Sequence, residues 1–243
     1  MRWWLWLIAT AAILMPSLAI AQDVTLSLGE GGSISARTIQ LILLITVLSL
    51  APGLAIMITC FPFLITVLAI LRQGIGLQQS PPNMLIVSLA LFLTYFIMEP
   101  VFTEAWTVGI QPMINETLDV EPALGRALRP FREFMAARLD MDTFQAMAAL
   151  RPGGDAIVLS PDAPLSVLMP SFMLSEIARA FQIGFLIFLP FLIIDLVVAA
   201  VLMSMGMMMV PPAIVSLPFK LAFFVIADGW ALIASALVRS YMP

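Results

Sequence analysis

The chain has 243 residues, 62% of them hydrophobic and only 11% charged, with a mean hydropathy of +1.07. A soluble domain is about 45–50% apolar and about 25% charged, so this composition belongs to a membrane protein. The net charge of −4 comes without any basic patch interleaved with aromatics, so nothing argues for a nucleic-acid partner, and the absence of histidine with a single cysteine, Cys60, excludes intrachain disulfides and histidine-dependent catalysis.

In chain order, residues 1–21 have the make-up of a secretory signal peptide. Arg2 is the basic start, residues 3–15 the apolar core, and Ala19-Ile20-Ala21 the small-residue cleavage site. Cleavage between Ala21 and Gln22 leaves the new N-terminus outside the cytoplasm. The alternative is an uncleaved first membrane helix, for which the apolar run is short against the about 20 residues a span needs. Residues 22–40 follow as a polar N-terminal arm.

Four apolar stretches come next, over residues 41–71, 84–102, 181–203 and 213–238. They predict an all-α membrane protein with two kinked helical hairpins, 41–102 and 181–243, that assembles into a ring. With the N-terminus outside, the turns at 72–83 and 206–212 face the cytoplasm, and residues 103–180 form a periplasmic helical segment. That segment holds six arginines, but segments longer than about 60 residues cross largely regardless of charge. The hairpins resemble each other: Pro62-Phe63-Leu64-Ile65 recurs as Pro190-Phe191-Leu192-Ile193, Ile86-Val87-Ser88-Leu89 as Ile214-Val215-Ser216-Leu217, and each turn carries a Pro-Pro pair. Within the outer segment, Phe131, Phe134, Met135 and Leu139, then Phe144, Met147, Ala148 and Leu150, form the one-sided stripe of amphipathic helices.

Three features inside the apolar stretches ask for an explanation. Pro62, Pro190 and Pro218 each remove a backbone hydrogen bond and are expected to kink or break their helices. Glu176, Asp195, Lys220 and Asp228 are charges at or near membrane depth, each costly unless partnered. A hairpin folded at residues 207–209 brings Lys220 close to Asp195; the other arrangement pairs Lys220 of one copy with Glu176 of another. Finally, Met207-Met208-Met209 precedes Pro211-Pro212. Flexible thioethers fill irregular space, so the run is either a soft rim around a shared axis or simple apolar filling.

Ala180-Phe181-Gln182-Ile183-Gly184-Phe185, Pro190 to Leu196, Met207 to Pro212, Leu217-Pro218-Phe219-Lys220-Leu221 and Asp228-Gly229-Trp230 occur in this order. With Pro81-Pro82-Asn83, Ala90 to Thr94 and Arg132-Glu133-Phe134-Met135, they strongly resemble the FliP family of flagellar type III export-gate proteins. At Cys60-Phe61-Pro62-Phe63 the family more often has a polar stretch with an arginine.

The resemblance implies a core subunit of the gate through which unfolded flagellar substrate proteins are secreted, in the inner membrane of the flagellar basal body. It implies a homo-oligomer of five with FliQ-like and FliR-like subunits, working with FlhB-like and FlhA-like components, with no enzyme activity, cofactor or metal. Met207, Met208 and Met209 match the family's pore gasket, and Glu176 and Lys220 its charged pair between subunits. The alternatives are the equivalent subunit of a virulence injectisome or a small-solute transporter that uses Asp195, Lys220 and Asp228 as coupling charges.

Overall fold

The computed structural model describes residues 34–77, 81–207 and 209–242. Residues 1–21 with the Ala21–Gln22 junction, and Met208, lie outside the described residues. Two compact units are distinguished, Met1–Leu48 and Ser49–Pro243. Helix α1, Ile34–Met57, begins in the first unit and ends in the second. The second unit continues with α2 (Phe61–Ile75), α3 (Asn83–Ala105), a π-helical turn (Trp106–Ile110) and α4 (Gln111–Ile114). It is completed by α5 (Val120–Arg138), α6 (Met141–Ala149), α7 (Leu165–Ser204), α8 (Pro212–Ile226) and α9 (Gly229–Arg239).

The described fold is all-helical. Among the described residues, three helical stretches are long and apolar enough to cross a membrane: Thr38–Met57, Asn83–Ile114 and Leu165–Ser204. The bent pair α8–α9 makes a fourth if it counts as one span. Segment limits differ from the sequence expectation in three places. Helix α1 starts inside the stretch read as a polar arm. The first apolar stretch is broken at residues 58–60, and α7 runs straight through the 180/181 boundary between outer segment and second hairpin.

The prolines divide into two kinds. Pro62 occupies the first turn of α2, where its missing N–H is one the helix does not use and its fixed φ suits helix entry. Pro190 and Pro218 lie inside α7 and α8, which continue past them as uninterrupted helices. Packing outweighs the lost hydrogen bond at Pro190, because the next residue, Phe191, is buried. Its ring sits 6.1 Å from Phe223 and 6.3 Å from Phe224. The interruption in the fourth apolar stretch falls instead at Ala227–Asp228, where α8 and α9 meet at 61°.

Helix α2 is the core of the second unit. Phe63, Leu64, Val67, Leu68 and Leu71 are almost fully buried, a helical stripe that α3, α7 and α8 cover. The contact between α2 and α7 is close enough that a Cβ built on Gly184 falls 2.4 Å from Ile70 Cδ1. Between the hairpins, Met135, Leu139, Phe144 and Ala148 pack against Val167, Leu168 and Phe172 at the start of α7. Arg132 straps the proline-rich loop to α5 by donating to the carbonyls of Pro161 and Ala163, at 2.7 and 3.2 Å.

Candidate functional site

Ser216, Lys220 and Phe224 are buried at four-residue intervals on one face of α8. They face Phe191 and Asp195, also four apart, on α7. Lys220 Nζ donates to Asp195 Oδ2 at 2.6 Å, and Ser216 Oγ donates to Oδ1 at 2.5 Å. The Lys220 side chain is 7% exposed and that of Asp195 33%, so the cation is the more deeply buried partner. A Cβ on Gly76, the left-handed cap of α2, would lie 3.7 Å from Lys220 Nζ. The ammonium therefore sits at a helix C-terminus, where the backbone carbonyls favour a cation.

Glu176 is fully buried on α7. Its Oε1 faces Arg138 Nε at 3.4 Å and Arg179 Nη1 at 3.3 Å, and its Oε2 accepts a hydrogen bond from the Tyr241 hydroxyl. Arg138 lies 3.9 Å above the centre of the Tyr241 ring and donates to the Ser240 carbonyl at 2.7 Å. Phe63 and Phe134 hold the other sides of that ring, at centroid distances of 5.4 and 6.1 Å. Burial, reinforced by the Glu176 carboxylate, pushes the Tyr241 hydroxyl well above the ordinary phenol range and keeps it a donor.

Of the four charges singled out in sequence, the fold thus brings Asp195 and Lys220 together and gives Glu176 separate partners. Glu176 and Lys220 do not meet within the chain. Asp228 is exposed at the break between α8 and α9, with no ion pair among the described residues. Arg138, Arg179, Tyr241 and Ser216 are the partners that sequence reasoning did not name. Arg179, three residues after Glu176, and Ser216, four before Lys220, were within reach of a helical-spacing argument. Arg138 and Tyr241 carry no local signal.

The methionine turn has a defined construction. At the end of α7, Gly206 adopts the left-handed conformation with φ +74. Gly206 N–H donates to Met203 O at 3.1 Å and Met207 N–H to Leu202 O at 2.9 Å, the two bonds of a Schellman cap. Pro211 and Pro212 then start α8. Only glycine takes that φ without penalty, which is why the turn falls at Gly206 and leaves the methionines outward. Met205, Met207 and Met209 are 66%, 38% and 97% exposed.

An all-helical membrane protein with several apolar helices, tied together by buried charges and tipped by a methionine turn, is the class that fold and site define. The FliP family pattern matches residues 44–237, so the chain belongs to the FliP family. It is 48% identical to the flagellar biosynthetic protein FliP of Caulobacter vibrioides over 236 residues, which cover 97% of this chain and 88% of that one. The FliP of Agrobacterium fabrum is 45% identical over 240 residues, 96% of this chain and 98% of the relative. The Bacillus subtilis FliP is also 45% identical, over 209 residues that span 85% of this chain and 93% of its own length.

Proposed function

We infer that this FliP-family chain is a structural subunit of the flagellar type III protein export gate, with no enzymatic role. In this reading several copies, five by resemblance, surround a pore in the inner membrane together with FliQ-like and FliR-like subunits. Unfolded flagellar proteins reach the pore from FlhB-like and FlhA-like components. The flagellar names of the relatives favour this over an injectisome or solute-transport role.

The observation that carries the mechanism is the methionine turn. It presents thioethers at the tip of a hairpin whose two helices are pinned by Asp195, Ser216 and Lys220. A pore for unfolded chains has to admit many side-chain shapes and yet hold back ions when idle. Thioether side chains pack closely and yield without breaking hydrogen bonds, whereas branched or polar ones do so less well. Replacing Met207, Met208 and Met209 together by Ala removes seal volume and leaves the capped turn intact, so the expected result is an assembled but leaky gate. Replacement by Leu retains apolar volume and leaks less. Solute influx into cells, measured beside the mass of the gently solubilised complex, checks this. A triple-Ala variant that assembles and stays as tight as the parent refutes the seal.

A further inference from the structure

The last two described helices meet at a strained corner, and a half-buried tyrosine ring follows them. Asp228 at the corner has φ +48 and ψ 47, a left-handed conformation that costs residues bearing a Cβ, Asp less than Ala and both more than Gly. Gly229 beside it is pressed so closely on Phe224 that a Cβ there would fall 2.2 Å from the ring. Beyond α9, Tyr241 enters the core between Phe63 of α2 and Phe134 of α5, and its hydroxyl reaches Glu176 of α7. Tyr241 is the one donor to Glu176 Oε2 among the described residues. Arg138 seals the arrangement by taking the Ser240 carbonyl and covering the Tyr241 ring.

From these contacts we propose that α9 is a hinged arm, with Asp228 as its hinge and Tyr241 as the clasp that holds it docked. Docking buries Leu237 and half-buries the ring. The undocked position has a place to go, because α8 and α9 together are long and apolar enough to form one continuous span. The corner strain at Asp228 is relieved when the pair straightens, and the clasp opposes it. The equilibrium between the two positions is therefore set by two small, separable groups, and anything that binds one position better shifts it.

The chain carries its own reporter. Cys60 is its one cysteine and is completely buried, in the cluster on which Tyr241 packs. The test is the rate at which a maleimide labels Cys60 in the full chain in detergent, a rate that follows the population of the open form when closing is fast. The parent should label slowly and Tyr241→Ala at least about tenfold faster, a factor that reads as a shift in the docking equilibrium. Tyr241→Phe keeps the ring contacts, loses the donor and should fall between. Asp228 is exposed, so its variants keep the fold: Asp228→Ala should label faster than the parent, and Asp228→Gly no faster. Equal rates for the parent and a folded Tyr241→Ala overturn the clasp. Equal rates for Asp228→Ala and Asp228→Gly overturn the hinge, and this pair decides should Tyr241→Ala lose its helical circular dichroism.

Discussion

Asp195 finds its cation 25 residues away, across a single turn, whereas Glu176 draws on α5, on its own helix and on a tyrosine 65 positions later. The first arrangement closes as soon as one hairpin folds. The second forms only when α2, α5, α7 and the C-terminal residues are all in place, so the chain has paid the closure entropy of long loops before the contact forms. Exposure follows the same division: Asp195 keeps about a third of its side chain open, and Glu176 none. The short-range pair holds a hairpin together, and the long-range cluster holds α5 and the C-terminal residues to α7.

The largest expected effect is therefore at Glu176. Glu176→Ala leaves Arg138, itself mostly buried, facing no carboxylate, and removing one side of a buried ion pair costs about 3–5 kcal/mol. Thermal unfolding of the solubilised chain measures it, and a loss below that of Lys220→Ala breaks the comparison. Next comes Asp195→Ala, at about 3 kcal/mol, because the almost fully buried Lys220 loses its counter-charge. Lys220→Ala is milder, at about 1–3 kcal/mol, since Asp195 retains Ser216 and some access to water. Asp195→Leu with Lys220→Met, an apolar pair of similar volume, should return close to parent stability. If that double variant folds but fails to enter the complex, the pair does more than hold its hairpin.

A double-mutant cycle between Glu176 and Lys220 sharpens the contrast further. Their partners differ within the chain, so the two losses should add to within about 0.3–0.5 kcal/mol in the isolated chain. A coupling that appears only in the assembled complex identifies a contact between copies.

The smallest effect is at Asp140, which caps α6 by accepting from Thr143 N at 2.9 Å and Thr143 Oγ1 at 2.8 Å. Those bonds, the backbone one first, hold its carboxyl below the ordinary value of 3.8. The sign follows: its contribution is complete above that value and fades as the pH falls through the lower, folded one. Asn caps without titrating, so the stability difference between Asp140→Asn and the parent should change over that acidic window and be flat above it. A difference that stays constant with pH sinks the assignment.

Much of this was legible in the sequence because it is written locally. Apolar length marked the spanning helices, the stripe from Phe131 to Leu139 marked α5, and the Gly206 to Pro212 run marked the turn. The exceptions have physical causes. Proline propensity suggested interruptions at Pro190 and Pro218, yet α7 and α8 continue, and the break lies at Asp228-Gly229, an Asp-Gly pair that carries a turn signal of its own which the proline reading passed over. The partners of Glu176 were hidden because Arg138 and Tyr241 reach it by tertiary packing, which leaves no periodic trace. Leu150, placed on the apolar stripe by spacing, is 78% exposed, because α6 ends one residue earlier.

The uninterrupted length of α7 has a mechanical side. Its N-terminal half is clothed by α5 and α6 and its C-terminal half ends at the methionine turn, so one rod joins two environments. Forty residues of α-helix measure about 60 Å, twice the hydrocarbon thickness of about 30 Å. Rotating such a rod by about 10° about its midpoint carries either end through about 5 Å, close to one helical pitch. A small tilt imposed at α5 and α6 is thereby delivered as a side-chain-sized displacement at Met205, with no residue in between having to change its conformation.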